Sequence, residues 1–408
     1  MKTNKICVII CEYNPFHNGH KLLLDKARQL SGCDYIACIM SGDFSQRGEP
    51  CILNKYSRAT VAIQGGADIV IQMPTAYACS SAEVFCRAGI NIANTLKNAT
   101  HICFGSECGD IDLLSKVADF FIKEPKEYKQ LLKENLSKGY SYPTSKQLAI
   151  DAMVKNNLLE KDFSKVLEGS NNILAIEYLK AIKQTKSKLS PITIKREGED
   201  FNSKKQSTFA SATSIRDTIY KKGVKFVENS IPKETYKEFF ALLEKQGPVD
   251  INLFDKLRLY SLRTSNIKTL ENTFDVGEGI ENRLYNISRE SKTYDDFINS
   301  CKTKRYSTSK INRICLANML GISKSIVEKV YTYDLPYIKV LAVKKNKILS
   351  LLECNTNLII RNSDIPKLNA HAKDLIQIES NAESIYSLIT NNANTLPYIN
   401  TQAIIVNK

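Results

Sequence analysis

The sequence lacks the patterns that define several common classes of protein. It has no G-x-x-x-x-G-K-[ST] motif, so an ATP site of the P-loop type is excluded. It has no Cys-x-x-Cys pair, which argues against a structural zinc site, since such sites usually cluster four ligands. No apolar run approaches the roughly 20 residues that cross a bilayer, and the N-terminus does not read as a signal peptide. We therefore expect a cytoplasmic protein with no membrane partner.

Cysteine and charge are the next constraints. The chain has 12 cysteines, mostly inside apolar runs, and in a reducing cytosol we expect buried thiols rather than disulfides. Lysine and arginine number 57 against 43 acidic residues, a formal net charge of +14. Such an excess favours a polyanionic partner, because each phosphate contact releases counterions. Charge alone does not say which nucleic acid that partner is.

The length of 408 residues predicts two or three domains. Short apolar runs alternate with helical patterns at first, which predicts an α/β fold with a parallel sheet. The predicted strands are 5–11, 35–40, 67–72, 101–104 and 192–195, followed after a long helical stretch by 338–343, 357–360 and 403–406. We expect an α/β domain over 1–201, a mainly helical domain over 202–330 and a small α/β C-terminal subdomain over 331–408.

Two helix patterns make local predictions that the structure can check. The first helix carries Leu23, Ala27 and Leu30 on one face. Later in the chain, Ser170 stands directly before an apolar helical pattern and is expected to be that helix's N-cap.

The most informative segment is 12–20, which reads E-Y-N-P-F-H-N-G-H and joins a predicted strand to a predicted helix. Such a turn is where an α/β protein binds nucleotide phosphates, through amide N–H groups and the helix dipole. Paired imidazoles, here His17 and His20, suggest adenylyl transfer, with ring nitrogens donating to phosphate oxygens. A metal-binding pair and a polar surface loop are the alternatives.

Other polar clusters follow predicted strands, where an open α/β sheet places its ligand. The loop 41–50 holds Gln46 and Arg47 between glycines, which suits a small anionic substrate, although a plain surface loop is as good a description. Gly105 lets the backbone approach a base or ribose, and Glu107 two residues later is a candidate for a hydroxyl or a hydrated metal ion, with an ordinary turn at the end of a strand as the alternative. The segment 211–216, S-A-T-S-I-R, is a helix start that can clamp phosphate or merely cap its helix.

Taken together, these motifs resemble a known family. The strand–H-N-G-H–helix opening and the later S-A-T-S-I-R are similar to the signatures of H-I-G-H nucleotidyltransferases. In this order, E-Y-N-P-F-H-N-G-H, M-S-G-D-F-S-Q-R-G-E-P, G-A-D-I-V-I-Q-M-P, F-G-S-E, S-N-N-I-L-A-I-E-Y and A-S-A-T-S-I-R more closely resemble bacterial tRNA(Met) cytidine acetate ligases. The resemblance runs from residue 6 to residue 216 and again over 302–313.

The resemblance implies a Rossmann-like nucleotidyltransferase domain and an ATP-dependent ligase. Such an enzyme joins acetate to the wobble cytidine of elongator tRNA(Met) through acetyl-adenylate, giving N4-acetylcytidine, and no DNA partner is expected. The implied nucleotide contacts are Ile10, Cys11, Glu12, Tyr13, Asn14, Pro15, Phe16, His17, Asn18, Gly19, His20, Lys21, Leu22, Leu23, Gly105, Asn171 and Arg196. Asp43, Gln46 and Arg47 are candidates for contacts with acetate or tRNA.

The implied chemistry is in-line transfer, which needs positioning and charge stabilisation more than covalent help from the protein. His17 and His20 would stabilise the pentavalent phosphorus, and Arg196, Ser214 and Arg216 the departing pyrophosphate. Mg²⁺ is expected to bridge phosphates without a dedicated protein metal site. Asp43, Glu107 or neither would assist it.

The segment 301–313 is the predicted tRNA surface. It contains Lys302, Lys304, Arg305, Lys310 and Arg313 with no acidic residue, and Tyr306 lies among them. Basic side chains around an aromatic ring suit an RNA backbone with an unstacked base, whereas a solvated helix face is the alternative. Two other functions stay open, namely a small-molecule adenylyltransferase of cofactor metabolism and a non-catalytic RNA-binding protein on the same scaffold.

Overall fold

The computed structural model describes residues 4–196, 210–332, 335–344, 354–390 and 403–406. Its strands are β1 (Ile6–Cys11), β2 (Tyr35–Ser41), β3 (Ile69–Met73), β4 (Ala99–Ser106), β5 (Ser190–Lys195), β6 (Tyr337–Lys344), β7 (Asn357–Ile359) and β8 (Ile404–Val406). Each predicted strand is therefore present, with ends shifted by one or two residues. The prediction succeeds because apolar runs of this length are buried in the sheet; all five residues of β3, for example, are buried.

The helices of the N-terminal half are α1 (Asn18–Ser31), α2 (Lys55–Gln64), α3 (Thr75–Ala78), α4 (Ala82–Thr95), α5 (Ile111–Lys123), α6 (Lys126–Ser137), α7 (Tyr142–Lys155), α8 (Lys161–Val166) and α9 (Ser170–Gln184). They are followed by α10 (Ala212–Lys222), α11 (Lys233–Gln246), α12 (Ile251–Thr264), α13 (Ile267–Asn272), α14 (Ile280–Glu290), α15 (Tyr294–Cys301), α16 (Thr308–Leu320), α17 (Lys324–Thr332) and α18 (Ala370–Leu388). None of these helices, within the described residues, is long and apolar enough to cross a bilayer.

The first five strands are parallel and lie in the order β5-β4-β1-β2-β3. The chain therefore builds outward from β1 in one direction and then crosses over to build in the other. Between β1 and β4 the order reverses, and ligands of open α/β sheets bind at the carboxyl ends of the strands at such a point. Helices cover both faces, so the sheet lies between two apolar cores. The predicted α/β fold with a parallel sheet is confirmed.

The C-terminal strands extend this same sheet. β6 pairs antiparallel with β3, and β7 and β8 both pair parallel with β6. Residues 337–406 thus add strands to the sheet that the first 195 residues begin. The predicted domain boundaries themselves stay a prediction.

Residues 210–323 form helices, as predicted, with a separate apolar core between α12 and α16. The helix-face prediction for α1 is only partly right: Leu24 and Ala27 are the buried residues, whereas Leu30 is 55% exposed. All 12 cysteines are free thiols, and ten of them are buried, as expected of small apolar side chains.

Candidate active site

A cleft of about 470 Å³ opens at the carboxyl ends of β1 and β4. Four polar regions face it: the turn after β1, the loop after β2, the region from the end of β4 to the start of α9, and the start of α10. Its lining residues are Ile10, Cys11, Glu12, Tyr13, Asn14, His17, His20, Leu23, Ser45, Gln46, Arg47, Ala82, Phe85, Phe104, Gly105, Ser170, Asn171, Ile173, Leu174, Tyr178, Arg196, Ala212, Thr213 and Arg216. The structure therefore brings the separate strand-end motifs to one place.

The turn after β1, residues 12–20, is called here the histidine turn, and hydrogen bonds from its own backbone hold its two imidazoles. His17 is the N-cap of α1, and its Nδ1 accepts a hydrogen bond from the amide of Gly19 at 3.1 Å. The Nδ1 of His20 accepts in turn from the amide of His17 at 3.3 Å. The two rings stack with centroids 3.7 Å apart. The H-x-x-H spacing therefore satisfies the N-terminal amides of α1 and holds both rings together.

Both imidazoles are neutral at physiological pH. Burial, assisted by the nearby charge of Arg196, lowers the pKa of His17 to about 3. Burial also lowers the pKa of His20 well below its usual value; His17 and Arg196 add to the effect, and a hydrogen bond from the ring to the Pro15 carbonyl opposes it. A neutral imidazole has one donor and one acceptor nitrogen. Because each Nδ1 accepts a hydrogen bond, this network assigns the proton of both rings to Nε2.

A chain of contacts leads from β4 to Arg196. The Glu107 carboxylate accepts from the amides of Asn171 at 3.0 Å and Asn172 at 2.7 Å, and so caps α9. It also accepts from the Asn171 side chain at 2.7 Å, and Asn171 Oδ1 accepts from Arg196 at 3.2 Å. The predicted N-cap Ser170 is thus wrong, because the N-cap is Gly169 and Glu107 supplies the capping oxygens. A Cβ at Gly169 would lie 2.5 Å from Oε2 of Glu107, so any larger residue would have to displace the capping carboxylate.

Gly105 leaves room for the arginine. A Cβ at Gly105 would lie 3.2 Å from Cγ of Arg196, which is tighter than normal packing.

Burial opposes ionisation of Glu107, but its hydrogen bonds from Asn171 and Asn172 outweigh that, so the pKa of Glu107 is lowered. The carboxylate is therefore charged and fully engaged with α9.

The start of α10 forms the opposite wall. Ser211 caps the helix by accepting from the amide of Ser214 at 3.2 Å, as the S-A-T-S-I-R pattern predicts. Arg216 donates to the carbonyl of Asn14 at 2.7 Å and so joins α10 to the histidine turn. A helix N-terminus with an adjacent guanidinium is an anion site by geometry and by charge.

Hydrogen bonds connect the loop after β2 to the histidine turn. The Glu12 carboxylate accepts from the amide of Gln46 at 2.6 Å. Arg58 of α2 is fully buried and donates to the carbonyls of Glu12, Ser41, Gly42 and Leu53. One guanidinium therefore fixes both loops, a role that sequence analysis missed because an isolated arginine in a helix carries no signal.

Several predicted site residues lie away from the cleft lining. Asp43 is 2% exposed, and its carboxylate accepts from the amide of Lys55 at 2.7 Å. Phe16 packs against Gly65, where a Cβ would meet its ring at 2.6 Å. Lys21 pairs with Asp25 along α1. Pro15, Asn18, Gly19 and Leu22 also lie outside the lining set.

An apolar wall in the cleft was not predicted. Phe85, Phe104, Ile173, Leu174 and Tyr178 line one side, and Phe104 packs on Tyr178 with ring centroids 5.4 Å apart. These residues lie within ordinary helix and strand patterns, so only the folded chain shows that they face a ligand cavity.

The basic segment 301–313 lies next to the loop after β2. A Cβ at Gly48 would come within 2.8 Å of the Asn312 backbone, so this loop packs directly on α16. Lys302 and Lys304 are exposed, whereas Arg313 is held by Asp275 at 2.8 Å.

Two other basic residues of the segment have acidic neighbours. Lys310 lies 3.7 Å from Asp275, and Arg305 lies 3.6 Å from Glu278. The two acidic residues come from the stretch before α14, so sequence reasoning confined to 301–313 missed them. Lys310 and Arg313 share one carboxylate, so a single net positive charge stays at this end of the segment, whereas Lys302 and Lys304 are both exposed at its start.

Comparison with known proteins gives one consistent family. The sequence model of the family described as HIGH Nucleotidyl Transferase matches residues 4–398. A protein of Caldanaerobacter subterraneus subsp. tengcongensis named tRNA(Met) cytidine acetate ligase is 41% identical over 395 residues, covering 96% of this chain and 95% of that protein. A protein of the same name from Clostridium botulinum is 36% identical over 392 residues, covering 95% of each chain.

A solved structure is also similar over its full length. The crystal structure of Thermotoga maritima TmcAL bound with alpha-thio ATP matches with a TM-score of 0.90 and 29% sequence identity. The match covers 99% of this chain and 100% of that one. The likeness therefore includes the helical part and the C-terminal strands as well as the cleft.

Proposed function

The chain belongs to the HIGH nucleotidyl transferase family and, within it, to the tRNA(Met) cytidine acetate ligases, and from this premise we propose how its residues carry out the reaction. The enzyme uses ATP to join acetate to the wobble cytidine of elongator tRNA(Met), with acetyl-adenylate as the intermediate. The observation that carries the residue assignment is that two neutral imidazoles line the same cleft as Arg196 and Arg216.

ATP binds with its phosphates between the α1 and α10 N-termini. The Nε2–H groups of His17 and His20 donate to oxygens of the α-phosphate, where charge grows as the pentavalent phosphorus forms. Arg196 and Arg216, with the Thr213 hydroxyl beside them, hold the β- and γ-phosphates that leave as pyrophosphate. The apolar wall formed by Phe85, Phe104 and their neighbours accepts the adenine ring.

Acetate enters from the loop after β2. A carboxylate oxygen attacks the α-phosphorus as the bond to pyrophosphate breaks, which gives acetyl-adenylate. Gln46 and Arg47 line the cleft there, and Arg47 is exposed, so its charge is available for the acetate carboxylate. Neutral imidazoles suit this step, because they stabilise the phosphate without adding a cation that would trap the anionic nucleophile.

The second step transfers the acetyl group. The exocyclic amine of the wobble cytidine attacks the acetyl carbonyl, loses a proton and expels AMP. The exposed Lys302 and Lys304 lie on the segment that packs against the loop after β2. We propose that these lysines bind the tRNA backbone, which would bring the anticodon loop towards the mouth of the cleft.

Mg²⁺ would accompany ATP rather than occupy a dedicated protein site. The described residues contain no group of three or more His, Cys, Asp or Glu side chains placed to hold a metal ion. Glu12 is the carboxylate that lines the cleft, whereas Asp43 is buried elsewhere and Glu107 caps α9. Glu12 is the cleft-lining residue that would hold the ion, which would supply neutralisation of the phosphate charge.

The test is incorporation of label from acetate into RNA. Purified protein is incubated with ATP, labelled acetate and a transcript of elongator tRNA(Met), and the RNA is digested to nucleosides. We expect labelled N4-acetylcytidine with this transcript and none with a matched transcript whose wobble cytidine is replaced by uridine. Label in neither transcript, from protein that binds ATP, would exclude the proposed reaction.

A further inference from the structure

A buried cluster of charged residues lies behind the loop after β2, away from the cleft. Lys55 of α2 is 1% exposed and contacts Glu383 and Glu379 of α18, the latter at 3.6 Å. Lys339 of β6 lies 3.7 Å from Glu383. Asp43 completes the set, with its carboxylate 4.0 Å from the Lys55 ammonium. The cluster joins residues that are separated by 340 positions in sequence, and the mechanism above uses none of it.

The cluster is held tightly against the start of the loop. Glu379 accepts from the hydroxyl of Thr75 at 3.0 Å and also binds its amide. A Cβ at Gly42 would lie 2.9 Å from that hydroxyl and 3.6 Å from Glu379. Gly42 and Asp43 therefore rest directly on the charges contributed by α18.

The loop then runs from this anchor to the cleft. Asp43 binds the amide of Cys51 through its carbonyl at 2.9 Å, which closes the base of the loop. Tyr386 of α18 donates to the carbonyl of Cys51 at 2.7 Å. Gln46 and Arg47, which line the cleft, lie between these two fixed points. The position of both side chains thus depends on contacts from a helix near the other end of the chain.

Simple stabilisation does not account well for such a cluster. Three carboxylates and two ammonium groups are buried together, and replacing buried ion pairs by apolar side chains is often neutral or stabilising. Burial opposes ionisation of Glu383, yet Lys55 and Lys339 outweigh it and lower its pKa, so Glu383 is ionised. Burial raises the pKa of Asp43 and of Glu379, which shows the cost of keeping these carboxylates inside. A fully paired set of buried charges instead holds the segments that it joins in one defined arrangement.

We propose that Glu383 is a positioning residue for acetate: through Lys55 and Asp43 it fixes the loop that presents Gln46 and Arg47 to the cleft. The proposal rests on the proposed function, in which that loop binds the acetate carboxylate. It extends the site to α18, a helix that no part of the cleft lining includes.

The test separates the two substrates of the first half-reaction. Acetate-dependent exchange of pyrophosphate into ATP is measured without tRNA on the full chain, with KM determined for acetate and for ATP. For Glu383→Gln we expect the acetate KM to rise about tenfold because the loop is displaced, with the ATP KM within about twofold of wild type. The ATP phosphates bind on α1 and α10, which the cluster does not touch.

Two further variants serve as controls. Asp255→Asn breaks a half-buried ion pair with Arg258 in the helical part, and we expect it to lower Tm and leave both KM values unchanged. Lys55→Met with Glu383→Leu removes one cation and one carboxylate together and leaves Lys339 with Asp43 and Glu379. Its Tm is measured first, to establish that it folds. It keeps the cluster's net charge but removes the cation next to Asp43, and we expect the same rise in acetate KM.

The outcomes separate cleanly. A selective rise in acetate KM in the folded double variant supports the positioning role. Acetate KM at the wild-type value, or equal rises in both KM values, overturns it. Acetate-dependent exchange by the wild-type protein in the same assay supports the proposed function independently, so a flat acetate KM in the variants removes the positioning role alone.

Discussion

The histidine turn and the basic segment 301–313 are both short polar motifs, but the fold uses them differently. Within the turn, Nδ1 of each imidazole accepts from a backbone amide, which fixes both rings. Arg58 and Arg216 add hydrogen bonds to its backbone from outside. The basic segment is partly neutralised by Asp275 and Glu278, which leaves Lys302 and Lys304 as its exposed charges. A rigid turn suits stabilisation of a transition state, whereas exposed lysines suit a diffuse polyanion.

The largest effect is expected from His17→Asn. Asparagine is a good N-cap and keeps the acceptor for the amide of Gly19, so α1 should remain intact. It lacks the Nε2–H donor, and loss of one preorganised donor costs about 10²- to 10³-fold in rate. Acetate-dependent pyrophosphate exchange should therefore fall by that factor, with tRNA affinity unchanged. Exchange within about threefold of wild type would remove His17 from the transition state.

His17→Asn should also change how folding stability depends on pH. The pKa of His17 is about 3 in the folded protein and about 6.5 when unfolded. The unfolded chain therefore takes up a proton first as pH falls, and folded stability is lost progressively between pH 6.5 and 3. By pH 5 this amounts to about 2 kcal/mol from His17, a loss that His17→Asn does not share.

Urea unfolding at pH 7.5 and pH 5 measures this difference. The wild-type protein should lose about 2 kcal/mol more stability than the variant over this interval. An equal loss in both proteins would show that His17 titrates normally. His20 contributes in the same direction in both proteins, and because burial is the largest cause of its lowered pKa and His17 a smaller one, most of its contribution cancels in the comparison.

Substitutions in the basic segment 301–313 should affect tRNA binding and not acetate-dependent exchange. Lys302→Glu with Lys304→Glu is expected to weaken tRNA binding about tenfold and to reduce the salt dependence by roughly 0.7 per lost phosphate contact. Acetate-dependent exchange without tRNA should be unaffected. Lys161→Glu with Lys165→Glu, on exposed positions of α8, makes the same change of net charge and is the matched control. Equal weakening by both pairs would indicate a general charge effect.

The smallest effect is expected from Gly105→Ala. Its Cβ would come within 3.2 Å of the flexible stem of Arg196, which can shift by a few tenths of an ångström. We expect a rise of about threefold in the KM for ATP, since the pyrophosphate contact is displaced but not lost. An unchanged ATP KM would show that Arg196 holds no phosphate in this position.

Sequence patterns predicted the sheet and the meeting of its strand-end motifs because both follow from local rules. Apolar runs become buried strands, and parallel strands place their carboxyl ends at one edge. The contact of β6 with β3 could not be read this way, since the two strands lie more than 260 residues apart. The burial of Asp43 could not be predicted either, because its sequence position is typical of an exposed loop carboxylate, whereas the folded chain buries it against Lys55.

The cap of α9 is a second case in which a distant contact could not be predicted from local sequence. Ser170 precedes an apolar helix and has the right side chain for an N-cap, but the amides of α9 are satisfied by Glu107 from a different strand end. Local preference identified the helix, and a contact from 63 residues upstream decided how it begins. Site residues that act through distant partners, such as Arg58, leave no local pattern at all.

A pulse–chase experiment tests the central claim most directly. Enzyme loaded with ATP and labelled acetate is mixed with excess unlabelled acetate and elongator tRNA(Met). If the cleft holds acetyl-adenylate, the label already bound appears in the wobble cytidine before it is diluted. Label that is lost to the unlabelled pool, with only unlabelled acetylcytidine formed, would contradict an enclosed acetyl-adenylate between the imidazoles and the tRNA.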